Sequence, residues 1–354
     1  MRSPGKHITV SYFKLSCLSA VALILLLLQP VSLQAQDLHF SQFYAAPMLI
    51  NPANTGTSGD GLRVANIYRN QWAKIGIPYE TVSTSLDKNL TIAGHSFGIG
   101  GFILHDQSSS FNLAENAFML SLSYSRMFRN QLLTIGVQPG YVLKSYNLTG
   151  ITFGSQFSDA IESFDASLPA LESGLSDRLS YFDLNAGIAW RTMIGNIMPM
   201  AGFSLDHINV PMQKFSTSSK GTRLHMKMNA TGGIFIPVTE RIALNPVIIY
   251  TYTSGTDEFL LGSTGEYSLA RSDNQVRKVY AVTMLRVNPV RNLDAIIVGG
   301  GAEFFNFNLG ISYDLNISPL RSATNFRGAF EVTLVYTGKG RARFNTGLPC
   351  YIIN

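Results

Sequence analysis

Cysteine is nearly missing from this 354-residue chain: only Cys17 and Cys350 occur, and Cys17 lies in a segment that reads as an export signal. No internal disulfide can therefore staple the exported form, and Cys350 is left as a free thiol or an intermolecular bridge. Charge is also scarce. Asp, Glu, Lys and Arg make up 14% of the chain against 46% hydrophobic residues, where a soluble domain carries about 25% charge. Beyond the first 35 residues no apolar run approaches the ~20 residues of a membrane helix, which excludes helical spanning. Histidine is sparse and dispersed: His39, His95, His105, His207 and His225 have no second histidine or cysteine at ligand spacing, so no zinc motif exists.

The first 35 residues do contain an apolar run. Arg2, Lys6 and Lys14 precede Leu15 to Leu28, and Leu33-Gln34-Ala35 offers a cleavage site. The pattern is that of a secretory signal peptide over residues 1–35, with Gln36 as the mature N-terminus. Cys17 sits at the start of the run, whereas a lipid-modified cysteine would follow it. Cleavage takes the 27 basic residues to 24 against 22 acidic ones, so a net charge of +5 falls to +2. That balance gives no electrostatic footprint for nucleic acid.

Alternation with period two fills the rest. In Phe305 to Asn316, apolar Phe305, Phe307, Leu309, Ile311, Tyr313 and Leu315 alternate with Asn306, Asn308, Gly310, Ser312, Asp314 and Asn316. Such a strand separates an apolar surrounding from a polar one. About fourteen stretches of this kind begin near Gly61, Tyr79, Ser96, Ala114, Gln131, Ser180, Ile197, Thr222, Arg241, Glu258, Val279, Asp294, Phe305 and Gly328. An even number of amphipathic strands predicts an all-β protein, a transmembrane antiparallel β-barrel of the outer-membrane type, over residues 61–337. Tight inner turns are expected at Arg129-Asn130, Ile194 to Asn196, Pro237 to Glu240 and Glu303-Phe304. Long outer connections are expected at Asn147 to Leu179, Asn209 to Gly221 and Asn316 to Arg327.

The polar rows predict a lumen lined by Arg63, Arg69, Lys144, Asp183, Arg191, Arg223, Lys227, Asp314 and Glu331, whose mixed signs favour a cross-linked interior over a wide channel. Glycines such as Gly98 and Gly100 are read as lumen space or close strand approach. Catalytic signatures are missing. There is no G-x-S-x-G elbow, and a hydrolase would need a Ser-His pair assembled across strands, for instance with His225. Nothing points to a cofactor or a metal, and the outer loop from Asn147 to Leu179, rich in Asp and Glu, lacks a calcium-loop pattern.

Asp37 to Gly56, DLHFSQFYAAPMLINPANTG, resembles the start of the mature PorP/SprF proteins of Bacteroidetes outer membranes. So do YRNQW at Tyr68 to Trp72 and the closing stretch Leu309 to Tyr336. The resemblance implies a noncatalytic outer-membrane component of the type IX secretion system. Its implied partners are outer-membrane lipids, secreted proteins bearing a C-terminal secretion domain, and machine components including lipoproteins. Adhesins and gliding motility belong to the same implication. The alternative is a passive porin or small-molecule transporter.

The motif residues divide by position. Phe40, Ser41, Gln42, Asn51 and Pro52 fall in an N-terminal segment, residues 36–60, that is read as periplasmic or as a plug of the inner mouth. Tyr68, Arg69, Asn70, Gln71 and Trp72 end the first strand at its outer rim, with Trp72 an interface anchor. Residues 338–354 form a tail that either docks a periplasmic partner or is disordered.

Overall fold

A computed structural model of the chain describes residues 39–338 apart from 58–60, 73–77, 109–112, 147–151, 153, 160, 166, 169–177, 215–220, 270–275, 290–291 and 320. Residues 1–35, read as an export signal, and the tail from 339 to 354 with Cys350 lie outside the described residues. Fourteen antiparallel strands close into one barrel. They are β1 (Leu62–Gln71), β2 (Tyr79–Ile92), β3 (His95–Ser108), β4 (Leu113–Phe128), β5 (Gln131–Ser145), β6 (Arg178–Thr192) and β7 (Met198–Asp206). Then follow β8 (Lys227–Pro237), β9 (Ile242–Thr253), β10 (Thr256–Ser268), β11 (Val276–Asn288), β12 (Asn292–Phe304), β13 (Phe307–Asn316) and β14 (Arg327–Thr337). Each strand pairs with its neighbours in sequence, and β14 pairs with β1 from Arg63↔Thr337 to Gln71↔Ala329 to complete the ring. The closed ring leaves no open edge in the barrel wall, as the hydrocarbon of a bilayer requires.

Turn lengths orient the barrel. At one end β2–β3, β4–β5 and β12–β13 are joined by two residues each, Ala93-Gly94, Arg129-Asn130 and Phe305-Asn306. Ala93 and Gly94 have φ of 51° and 82°, the mirror-image turn that matches strand twist. At the other end lie the connections 146–177 and 207–226. Short turns face the periplasm and long loops the exterior in such barrels, so both ends of the wall, at Leu62 and Thr337, are periplasmic.

The barrel is inside-out relative to a soluble protein. Along β13, Phe307, Leu309, Ile311 and Leu315 are exposed on the outside while Asn308, Ser312, Asp314 and Asn316 are buried in the lumen. Leu120, 69% exposed, and Ile311, 53%, face lipid, whereas Glu331 and Ser121 are fully buried. Two small hairpins stand apart from the wall: Phe157–Ser158 with Ser163–Phe164, and Met212–Gln213 with Thr222–Arg223. The second corrects the expected strand start near Thr222. There the alternation continues, but the chain turns back on Met212 and Gln213 and rejoins the barrel at Lys227. The turn placed at Glu303-Phe304 likewise falls two residues later, because Phe304 pairs with Phe307.

Candidate functional site

The lumen is occupied by the chain's own N-terminal segment. From Phe40 to Thr55 nearly every residue is buried, in a succession of a 3-10 turn (Phe43–Ala45), one turn of α-helix (Pro47–Ile50) and a second 3-10 turn (Pro52–Asn54). Sequence explains the breaks. Pro47 and Pro52 each take a first helical position, where no amide hydrogen is needed. The Asn51 side chain caps the following turn by accepting from the Ala53 amide at 2.9 Å. Phe40, Phe43, Tyr44 and Met48 pack in one apolar cluster with Tyr280, Met284, Ile297 and Val335 of the wall.

At the outer end of the plug, Ser41 and Gln42 are held by charge. Arg69 and Glu331 face each other across the β1–β14 seam and form a buried ion pair. Glu331 also accepts from the Ser41 and Gln42 amides at 2.7 and 2.8 Å. The Ser41 hydroxyl donates to Asp314 at 2.7 Å and accepts from Arg286 at 2.8 Å and Arg69 at 3.1 Å. Arg286 and Arg69 reach Asp314 at 3.0 and 3.2 Å. Two guanidiniums thus face the carboxylates of Glu331 and Asp314, with Asp294 a further 3.8 Å partner of Arg286, so each charge has several partners. Gln42 is fixed again by its side-chain carbonyl, which accepts from Thr333 at 2.9 Å and Tyr44 at 3.0 Å.

The inner end is held mainly by main-chain contacts. Arg63, paired with Asp87 at 3.2 Å, donates to the Ala45 carbonyl at 2.6 Å. Asp87 in turn accepts from the Gly56 amide at 2.9 Å. Ser204 donates to the Ile50 carbonyl at 2.7 Å, Gln138 to that of Met48 at 3.2 Å, and Ser123 to that of Thr55 at 2.7 Å. Asn51 donates to the wall carbonyls of Ile188 and Phe203 at 3.0 and 3.3 Å. Around this turn the wall is reduced to glycine. A Cβ on Gly98 would lie 2.1 Å from the Thr55 carbonyl oxygen, on Gly136 2.4 Å from the Ala53 nitrogen, and on Gly187 2.0 Å from Asn51 Oδ1. Close backbone approach is the reason for glycine at these three positions.

The segment therefore does more than block the inner mouth. Ser41 bonds residues in the outer parts of β1, β11, β13 and β14, and His39 lies 3.9 Å from Glu258, near the outer end of β10. The plug runs from there down to the glycine seat. A cavity of about 80 Å³ remains between Phe43, Pro47 and Ile50 and the wall at Met200, Val247 and Ile249, large enough to admit water.

Of the residues predicted for the lumen, Arg63, Arg69, Asp183, Asp314 and Glu331 are buried in it. Arg191 donates to Asn54 at 3.3 Å, and Lys227 and Lys144 pair with Asp206 and Glu115. Arg223 is a correction: it pairs with Met212 in the small outer hairpin and is exposed, because the strand it was read into begins four residues later. Phe40, Ser41, Gln42, Asn51 and Pro52 all sit in the plug. Tyr68 and Asn70 instead face outward, where the Tyr68 hydroxyl and the Asn70 amide both donate to Glu80, at 3.0 and 3.1 Å. Gln71 accepts from Arg69 at 3.1 Å, and Trp72 packs edge-on against Tyr79 with ring centroids 5.3 Å apart. His225 lies outside the barrel strands, between Arg223 of the small hairpin and Lys227 of β8. Among the described residues, no group of His, Cys, Asp and Glu could hold a metal ion.

Sequence reading missed Arg286. The signal was present, since Arg286 is the one charge in the mostly apolar run Val279 to Val287. Gly136 and Gly187 were also legible, each standing on the inward row of its strand, but only their shared neighbour gives them a common purpose.

Among solved structures, the Ralstonia pickettii toluene transporter TbuX is similar at 11% identity, with 84% of this chain and 94% of that one covered and a TM-score of 0.47. The Pseudomonas putida toluene transporter TodX is similar at 12% identity over 85% and 94%, TM-score 0.46. BamA from Haemophilus ducreyi lacking POTRA domains 1–3 is similar at 10% over 79% and 70%, TM-score 0.41. No curated protein matches the chain. The family model for the type IX secretion system membrane protein PorP/SprF matches residues 32–336. An outer-membrane barrel with that match over nearly its whole length belongs to the PorP/SprF family of type IX secretion system membrane proteins.

Proposed function

We propose that this barrel is a noncatalytic component of the type IX secretion system that helps export or retain proteins bearing a C-terminal secretion domain, including adhesins that serve gliding, at the cell surface. Residues 1–35 direct its export, and its partners are the secreted protein and the lipoprotein and periplasmic parts of the machine. The observation carrying this reading is the filled lumen. Ser41 and Gln42 are clamped by Glu331, Asp314, Arg69 and Arg286, and Asn51 is seated on bare backbone, so the interior serves to hold a polypeptide segment rather than to pass solutes. A passive porin needs an aqueous path, whereas the plug fills the lumen from Phe40 to Thr55 with buried side chains.

Two experiments test it. Deleting the gene should reduce the amount of surface-held C-terminal-domain proteins, and unchanged secretion and display would count against the role. Purified protein in planar bilayers should be electrically silent. A steady open-channel conductance would favour the porin reading.

A further inference from the structure

The connection between β5 and β6 has a composition unlike the rest of the surface. Residues 146–177 contain five acidic residues, Asp159, Glu162, Asp165, Glu172 and Asp177, and no lysine or arginine. Part of it is ordered as a hairpin in which Phe157 pairs with Phe164 and Ser158 with Ser163. The two rings meet edge-on at 5.3 Å. They are 46% and 51% exposed, and Ile161 at the tip is 59% exposed.

An aromatic and aliphatic patch held out on a loop is costly to leave in water and marks an interaction surface. The hairpin is also prepared in advance. The Gln156 carbonyl accepts from the Asp165 amide at 2.9 Å, and the Gln156 side chain donates to the Leu168 carbonyl at 2.8 Å. The Asp165 carboxylate accepts from the Ser167 amide and hydroxyl at 2.9 and 2.6 Å. Those bonds keep its carboxyl below the usual carboxylate range, so it stays charged.

We propose that Phe157, Ile161 and Phe164, rimmed by Asp159, Glu162 and Asp165, form an extracellular docking surface for a secreted protein that presents lysines or arginines around an apolar cleft. This rests on the export reading above and names the surface through which the secreted protein is held. Side and charge select the occupant. The hairpin is on the long-loop face of the barrel, outside the cell. A rim of carboxylates repels anionic lipid headgroups and attracts a basic protein surface, while the rings supply the desolvated centre of the contact. The alternative basic surface is the β7–β8 connection of a second copy, where residues 207–226 carry Lys214, Lys220 and Arg223 and no acid.

The test is photo-crosslinking on intact cells that make the full-length protein with Phe157 replaced by benzoylphenylalanine. An ultraviolet-dependent adduct to a secreted protein, at a segment containing Lys or Arg, is the expected result. The adduct should fall about tenfold in the Asp159→Asn, Glu162→Gln double variant, the effect of losing roughly 1.4 kcal/mol of rim attraction. Phe164→Ser should reduce it likewise, with barrel folding checked by heat-modifiable migration. Adducts only to lipid, only to a second copy, or none at all would overturn the proposal. Those results would leave the export role itself standing, since that is read from the deletion strain.

Discussion

Glu331 and Ser41 lie 290 positions apart in the chain and 2.7 Å apart in space, with the carboxylate of one accepting the backbone amide of the other. The same carboxylate pairs with Arg69 and accepts the Gln42 amide, so a single side chain joins wall, seam and plug. Replacing it with alanine leaves Arg69 and two amides short of partners in a buried site. Glu331→Ala should lose about 3–5 kcal/mol, the usual cost of breaking a buried pair from one side. Thermal unfolding of the detergent-solubilised barrel followed by circular dichroism checks this, with Glu331→Gln, which keeps an acceptor, losing less.

The glycine seat gives a second test. Gly98→Ala sets a methyl group 2.1 Å from the Thr55 carbonyl oxygen and 2.4 Å from the Ser123 hydroxyl. Backbone must move on one side, and overpacking of this kind costs about 1–3 kcal/mol. The expected signature is a lower unfolding temperature together with faster proteolysis between residues 39 and 60. An alanine variant with native protection there would show that the seat is not tight.

Asn51 donates two hydrogen bonds to wall carbonyls and caps the turn that follows it. Asn51→Ala should destabilise by about 1–3 kcal/mol, since buried acceptors are left unmet. Asn51→Asp should be worse than alanine, because it turns a negative group toward the oxygens of Ile188 and Phe203. A ranking with aspartate milder than alanine would contradict the observed donor geometry.

Lipid contact on β13 predicts opposite outcomes for neighbours. Ile311, 53% exposed midway along the strand, faces the bilayer, and Ile311→Arg should cost about 2–4 kcal/mol and slow insertion into vesicles. Leu309→Ile, which keeps an apolar surface, should fold at the native rate. Equal folding of the arginine variant would remove Ile311 from the membrane face.

The wall was legible because one face of each strand meets hydrocarbon and the other a polar interior, which imposes period two on β13 from Phe307 to Asn316. Its limits were blurred where alternation outlasts the barrel. Arg223 continues the pattern of Lys227 and Asn229, yet the chain there pairs with Met212 outside the wall. The plug was legible as a motif and hidden as a site. Local turn chemistry explains Pro47, Asn51 and Pro52 without any barrel, and nothing near them in sequence announces Arg286 or Glu331. The acceptor for the Ser41 amide lies in the last strand, so the site exists only once long-range pairing has formed.

The location of that clamp bears on how the molecule is assembled. Arg69 belongs to the first strand to be made and Glu331 to the last, and they are direct partners across the seam. The carboxylate that receives the Ser41 and Gln42 amides comes to lie beside Arg69 only when β14 reaches β1. Ring closure therefore completes the clamp around the leading segment. A barrel closed with Ser41 displaced would keep the Arg69–Glu331 pair but leave the Glu331 and Asp314 carboxylates without the donors that Ser41 and Gln42 supply.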